Sequence, residues 1–415
     1  MGRQLTIELT GMAHGGAAVG RHEGKAIFVP YGIPGESVRA EITEDKGRFA
    51  RARLLEVLSG SGDRVDPLCS YFGACGGCHY QHMSYAAQLR YKRSVIQTQM
   101  QRIAGLSDAV VLPALGMSDP WHYRNHAQFH VSAAGQLGFM AAGSHAVVPI
   151  ERCLLMHPLL EDLFEALDAE LPSLLRIALR AGVRTGDQML IFEMESDLPP
   201  QVEADLPVSC VLLMSDGNAI TLVGSPYIRE QVGKRTYRIS APSFFQVNTA
   251  QAEVLADRVM AYLDAGPSDV VVDAYCGVGT FSIGLAAHSS QRAGPRQIIG
   301  IESSPDAIRD AQTNASGLEN VSFVCGAVED ILPTLGIQAP LVVVDPPRTG
   351  LGKQAVNAVL DLSPARMVYV SCDPATLARD IRAFAAAGYR LHEAQPIDMF
   401  PQTYHVETVA VLERL

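Results

Sequence analysis

The sequence predicts an α/β protein with a doubly wound C-terminal domain, a small N-terminal β-barrel and a mixed α/β domain between them. Three observations carry this prediction. From about Ala241 onward, short apolar runs at 270–273, 298–301, 321–324, 341–344 and 367–370 alternate with helical stretches, the pattern of a parallel sheet covered on both faces. Residues 1–58 hold short runs at 5–9, 17–21, 25–29, 37–42 and 49–57, parted by Gly-rich turns such as Gly15-Gly16 and Gly47, as in a small barrel. A chain of 415 residues, 48% hydrophobic and 19% charged, is long enough for two or three domains with substantial cores.

The elements follow in chain order. Arg48, Arg51 and Arg53 on the last barrel strand are expected to share one face. Residues 59–80 form a loop-rich, Cys-rich segment. A helix is expected from Ser84, a good N-cap, to Gly105, a good stop, with Leu89, Ile96, Met100 and Ile103 on one stripe. Residues 110–240 mix strand and helix without a strong internal signal. Two further strands are expected near 389–394 and 406–412. No run of 18 apolar residues and no signal-peptide pattern is visible, so a cytoplasmic protein with no membrane partner is expected. The bare myristoylation pattern at Met1-Gly2 gives way to the alternation of a first strand.

Net charge is −11, but it is uneven. Residues 1–105 hold 13 Lys and Arg against 9 Asp and Glu, a net of +4, and the remainder carries −15. A basic front on an acidic body is compatible with RNA, because phosphates respond to the local field. The bland alternative is an ordinary solvated surface.

Asp273-Ala274-Tyr275-Cys276-Gly277-Val278-Gly279-Thr280 follows the first strand of the C-terminal domain. Its glycines let the backbone turn tightly beside a ligand at the carboxyl edge of the sheet. Residue 282 is serine, so the dinucleotide form G-x-G-x-x-G is not met. Glu302 ends the second strand, where a carboxylate can accept both hydrogen bonds of a ribose diol or simply cap the next helix. These features favour S-adenosyl-L-methionine over NAD.

Asp345-Pro346-Pro347-Arg348-Thr349-Gly350 follows another apolar strand; the two prolines stiffen the turn and leave Asp345 presented at the strand end. Cys372, in Val370-Ser371-Cys372-Asp373-Pro374, precedes a helix. A thiol at a helix N-terminus is expected to have a lowered pKa. On spacing alone the buried structural cysteine is the commoner case, and Cys276 is a rival thiol in the cofactor loop. Cys69, Cys75 and Cys78 lie within ten residues around Gly76-Gly77. Such spacing suits an iron–sulfur cluster or zinc, although the second C-x-x-C pair of a zinc ribbon is missing.

The stretches Asp345–Gly350, Ser371–Arg379 and Met399-Phe400-Pro401-Gln402-Thr403-Tyr404-His405-Val406-Glu407-Thr408 resemble the uridine-5 RNA methyltransferase family. Residues 1–58 resemble its TRAM domain, a small OB-like RNA-binding barrel. The resemblance spans nearly the whole chain. It implies a class I methyltransferase domain, a central α/β iron–sulfur domain and methylation of carbon 5 of a uridine through a covalent Cys–uracil adduct. By resemblance Cys372 is the nucleophile and Glu407 the general base, and Gln246, Tyr275, Glu302 and Asp345 bind S-adenosyl-L-methionine. Arg348 is implied to hold the loop or a phosphate. Cys153 joins Cys69, Cys75 and Cys78 as fourth ligand of a 4Fe–4S cluster. Gln402 stands where many members have histidine, so no histidine role carries over. Trp121-His122-Tyr123-Arg124-Asn125 also looks like a family stretch, with base stacking and core packing both open.

The implied division is 1–58 for the barrel, 59–80 with 113–240 for the iron–sulfur domain, and 81–112 with 241–415 for the methyltransferase domain. The family branch with the cysteine cluster points to 23S ribosomal RNA ahead of transfer RNA, acted on by a monomer. The competing readings are an adenine-N6 methyltransferase, which needs no thiol, and a non-catalytic RNA-binding protein.

Overall fold

The structure is a computed structural model; it describes residues 3–167, 173–196, 198–200, 202, 204–288 and 294–415. The first five strands, Gln4–Met12, Ala18–His22, Lys25–Val29, Ser37–Asp45 and Phe49–Ser59, close into a barrel. Strict alternation along the first strand buries Leu5, Ile7 and Leu9, and these pack on Ile27, Val29, Val38, Ala40 and Ala52. Arg51 and Arg53 do share the outer face, where they pair with Glu44 and Glu41. Arg48 does not join them. It precedes the strand and stands three residues from Arg51, an odd step that reverses the face. Glu36, fully buried, accepts two hydrogen bonds from the Arg64 guanidinium at 2.6 and 2.7 Å and fastens the barrel to the cysteine segment.

The helix Tyr85–Gln99 starts where Ser84 accepts a hydrogen bond from the Ala87 N–H, continues as a π-turn over Met100–Ala104, and stops at Gly105, which is left-handed with φ 77°. Its buried face holds Ile96 and Met100 as expected, but also Gln88 and Lys92. Lys92 forms a fully buried ion pair with Asp398 and donates to the Phe400 carbonyl at 3.0 Å. Gln88 exchanges hydrogen bonds with Gln402 at 2.9 and 3.0 Å. The helix thus sits between the barrel core, through Ala87 and Val95, and the C-terminal core, through Ile96 and Met100.

The middle of the chain forms a seven-stranded sheet in the spatial order Ala219–Val223, Val208–Leu213, Gln188–Met194, Leu174–Ala181, His126–Val131, Leu137–Met140 and Val147–Pro149. Helix Pro158–Glu165 covers one face, where Phe129 stacks between Phe139 and Phe164. Against the other face lies the hairpin Tyr227–Val232 and Arg235–Ser240, which carries the apolar contact on to Val278, Ile283 and Ala307.

The C-terminal sheet has the order Val321–Cys325, Gln297–Glu302, Val270–Ala274, Leu341–Val344, Arg366–Ser371, Glu407–Arg414 and Tyr389–Ile397. The first five strands are parallel and Glu407–Arg414 is antiparallel to both neighbours. Helices Thr249–Leu263 and Thr280–His288 cover one face; Lys353–Asp361, Pro374–Ala386 and the helix from Tyr85 cover the other. The strand order reverses between Val270–Ala274 and Leu341–Val344, which is where open α/β sheets bind ligands. Among the described residues no helix is long and apolar enough to cross a membrane.

Candidate active site

The reversal point carries the glycine-rich turn. Tyr275 is held at φ 67°, and Gly277 and Gly279 are left-handed at 54° and 88°, conformations that glycine adopts without a Cβ penalty. The turn is pinned from both sides. The Gly277 N–H donates to Glu302 Oε2 at 3.2 Å, and Ser282 donates from its N–H and hydroxyl to Asp273 Oδ2. Ser282, the residue that broke the dinucleotide pattern, therefore anchors the turn to the strand before it. Glu302 also accepts from the Ser304 N–H at 2.8 Å, while Ser304 itself caps the following helix.

Gln246, Tyr275 and Asp345 meet in one cleft, with Phe244, Cys276 and Val278 completing its wall. Tyr275 also borders a second cavity of about 550 Å³ that runs past Ser303, Val328, Glu329 and Pro347. Burial, then the charges of Asp273 and Glu302, push the Asp345 carboxyl up to about 7. The acidic groups that act on Tyr275 are Glu329, Asp380 and Glu302. Phe244 is 69% exposed at the mouth of the cleft. Cys276 is buried, and burial, then the charges of Asp273 and Glu302, push its thiol well above the usual range.

Cys372 follows the strand Arg366–Ser371, whose two faces are buried by Met367 and Tyr369 on one side and Val368 and Val370 on the other. Ser371 pairs with Thr408 in the antiparallel ladder, so the next position along one strand and the preceding position along the other are Cys372 and Glu407. Glu407 is 3% exposed. Burial and then the charge of Asp345 push its carboxyl well above the usual range, opposed by Arg348.

The expected lowering of the Cys372 thiol is not found. Burial pushes it up to about 12, the charges of Glu407, Asp345 and Asp373 add to this, and Arg348 opposes them. Part of the reason is local. Asp373, not Cys372, caps the helix Pro374–Ala386, and its Oδ1 takes the free N–H groups of Ala375 and Thr376 at 2.9 Å. The positive end of the helix is spent on that carboxylate. Arg348, exposed on the loop after Asp345, is the cation that favours both the thiolate and the Glu407 carboxylate.

In the Trp121–Asn125 stretch Tyr123 and Asn125 serve packing, while Trp121 and His122 are half-buried. Tyr123 is buried and donates to the Pro401 carbonyl at 3.0 Å. Asn125 donates to the Gln246 carbonyl and to Thr249 Oγ1, both at 3.0 Å. These bonds hold the Gln246 loop and the approach to Glu407 against the central sheet. Gln402 is structural too: left-handed at φ 68°, it receives the His79 and Tyr80 N–H groups on its carbonyl.

Cys69, Cys75, Cys78 and Cys153 line a single cavity of about 740 Å³ between the central sheet and the barrel. Burial is the main cause that lifts Cys78 to about 12 and Cys153 to about 11, and the neighbouring thiols push in the same direction. Among the described residues no three His, Cys, Asp or Glu side chains converge closely enough for a single metal ion.

The sheet order, the glycine-rich turn and the cleft beside it define a class I methyltransferase fold, and the five-stranded barrel is a second, OB-like domain. A family model described as tRNA (Uracil-5-)-methyltransferase matches residues 216–415, and one described as TRAM domain matches residues 1–55. The chain is 36% identical to an uncharacterized RNA methyltransferase of Halalkalibacterium halodurans, over 99% of this chain and 96% of that one. It is 37% identical to one of Caldanaerobacter subterraneus, over 100% and 99%. Among solved structures, a Pyrococcus abyssi tRNA (uracil-54, C5)-methyltransferase in complex with S-adenosyl-L-homocysteine is similar with a TM-score of 0.78 and 26% identity, covering 98% of this chain and 100% of that chain. The chain belongs to the RNA (uracil-5-)-methyltransferase family. Membership replaces the adenine-N6 and non-catalytic alternatives.

Proposed function

We propose that this protein methylates carbon 5 of a uridine in RNA with S-adenosyl-L-methionine, using Cys372 as nucleophile and Glu407 as general base. The observation that carries the reading is the strand register that sets Cys372 just after Ser371 and Glu407 just before its partner Thr408, with the charges of Glu407 and of Asp345, a residue of the cleft wall, both acting on the thiol.

Gln246, Tyr275, Glu302 and Asp345 would hold S-adenosyl-L-methionine; Gln246, Tyr275 and Asp345 line the cleft, and Glu302 adjoins it through the Gly277 N–H. When bound, that group supplies an electrophilic methyl. The protein must make carbon 5 of uracil nucleophilic. The Cys372 thiol first loses its proton to solvent, favoured by Arg348, and the thiolate then adds to carbon 6, forming a C–S bond and moving the ring electrons into an enolate with charge at carbon 5. After carbon 5 gains the methyl, the Glu407 carboxylate removes the hydrogen from that carbon. The C–S bond then breaks, the ring double bond reforms, and the thiolate returns. The target uridine must leave its stack to reach a half-buried thiol.

Cys69, Cys75, Cys78 and Cys153 suit a 4Fe–4S cluster. Four thiols line one cavity, and they are too spread for a single ion. A cluster so placed between barrel and central sheet would brace both. The functional division that goes with this reading is 1–58, 59–80 with 113–240, and 81–112 with 241–415.

The cysteine set favours 23S ribosomal RNA as substrate. Transfer RNA is the second reading, favoured by likeness over the full length to a structure whose substrate is tRNA. Mass-spectrometric mapping of 5-methyluridine in RNA from cells lacking the protein separates them. Loss in 23S RNA supports the first reading, loss confined to transfer RNA the second, and no loss in either overturns both.

A further inference from the structure

One loop of the barrel lies on the C-terminal segments that carry Cys372 and Glu407. Loop 13–17 joins the first two barrel strands and is closed by hydrogen bonds from the Ala13 N–H to the Ala17 carbonyl at 2.9 Å and from the Gly16 N–H to the Ala13 carbonyl at 3.1 Å. Two contacts leave it. His14 Nε2 lies 3.3 Å from Asp373 Oδ2. Gly16, buried and left-handed at φ 85°, is pressed onto Tyr404, so that a Cβ there would sit 2.9 Å from the Tyr404 Cβ.

Both contacts lead to reacting groups. Asp373 is the neighbour of Cys372, and its turn is fixed by the Ser371 hydroxyl, which receives the Asp373 N–H at 3.2 Å and donates to the Asp373 carbonyl at 3.0 Å. Burial alone would raise the Asp373 carboxyl, yet the hydrogen bond from His14 and those from Thr376 and Ala375 hold it down to about 2. Tyr404 stands three residues before Glu407, with its ring 4.2 Å from that of His405 and 4.5 Å from that of His79. Gly15 and Gly16 also border the four-cysteine cavity.

We propose that loop 13–17 is a positioning element of the methyl-transfer centre. His14 holds Asp373, and through it the turn that presents Cys372. Gly16 seats Tyr404 and so sets the approach to Glu407. The RNA-binding barrel is then coupled to the attack geometry and not merely tethered beside it. The inference rests on Cys372 and Glu407 being the reacting groups. His14 is a positioning residue: it reaches the nucleophile only through Asp373. The pair is partly exposed, with side-chain exposures of 36% and 26%, so its loss should leave the fold intact, whereas misplacing a nucleophile slows attack steeply.

The test uses the full chain with S-adenosyl-L-methionine and 23S and transfer RNA transcripts containing 5-fluorouridine, whose fluorine cannot be removed after methyl transfer and so traps the covalent adduct. The variants are His14→Ala, His14→Gln, Gly16→Ala and Cys372→Ala. At saturating RNA, His14→Ala should form adduct about tenfold more slowly, while its RNA Kd stays within about twofold of wild type. His14→Gln keeps a donor and should recover most of the rate. Gly16→Ala should slow adduct formation as well, since its Cβ displaces Tyr404. A weaker Kd with an unchanged saturated rate would make His14 an RNA contact and overturn the proposal, as would no change in either quantity. Adduct formation by Cys372→Ala, or none by wild type, would instead sink the nucleophile assignment and this proposal with it.

Discussion

Ser371 faces Thr408 across two antiparallel strands, and this one register brings Cys372 to Glu407. In the proposed mechanism the chemistry divides between them. Glu407→Gln keeps the shape but not the base. Its expected phenotype is normal adduct formation with unmodified RNA followed by stalled release, with turnover down about 10²–10⁴-fold. Accumulated adduct on denaturing gels is the readout. Near-normal turnover would move the base elsewhere.

The thiol result sets the pH dependence. A Cys372 pKa pushed up to about 12 means that the thiolate fraction grows throughout the neutral range. The single-turnover rate of adduct formation should therefore rise with pH from about 6 to about 9 without levelling. A plateau by about pH 7 would indicate the lowered thiol that its place before a helix suggests.

Asp345 trades stability for function. Its folded-state pKa of about 7 lies above the ordinary carboxylate value. Its contribution to stability is therefore fully present below about pH 4 and lost as pH rises through about 7. At about pH 8 the neutral Asp345→Asn protein should melt at least about 2 °C higher than wild type, with little difference near pH 4. The same variant should lose binding of S-adenosyl-L-methionine in calorimetry. A lower melting temperature at pH 8 would contradict this account.

How much of this was legible in the sequence depends on how local the cause is. The helix from Tyr85 was readable because Ser84 and Gly105 act within one turn of their own position. The C-terminal strands were readable because both of their faces are buried, leaving uninterrupted apolar runs. The seven-stranded middle sheet was not. Its edge strand Ala219–Val223 is largely exposed and its core is completed by residues from other segments. Nothing local marks Gln88 and Lys92 as buried, because their partners Gln402 and Asp398 lie 314 and 306 positions away. The Cys372 thiol was misjudged for the same reason: local helix position argued one way, and burial with Glu407 and Asp345 argued the other and prevailed. His14 carried no signal at all, since only the closed barrel brings it to Asp373.

The four-cysteine cavity predicts a stoichiometry. Protein purified without oxygen should contain about four iron atoms and four acid-labile sulfides per chain, with a broad visible absorption that bleaches on reduction. Cys153→Ala should lose most of it, although Cys153 is far in sequence from the other three. One zinc per chain and no sulfide would contradict the assignment.

The most direct test of the covalent mechanism is intact-mass spectrometry of the protein after incubation with S-adenosyl-L-methionine and a 5-fluorouridine-containing substrate RNA digested to nucleotides. A methylated fluorouridine nucleotide attached to the peptide that contains Cys372, and absent from Cys372→Ala, is the predicted result. Attachment at Cys276, or full methylation of ordinary RNA by Cys372→Ala, would contradict it.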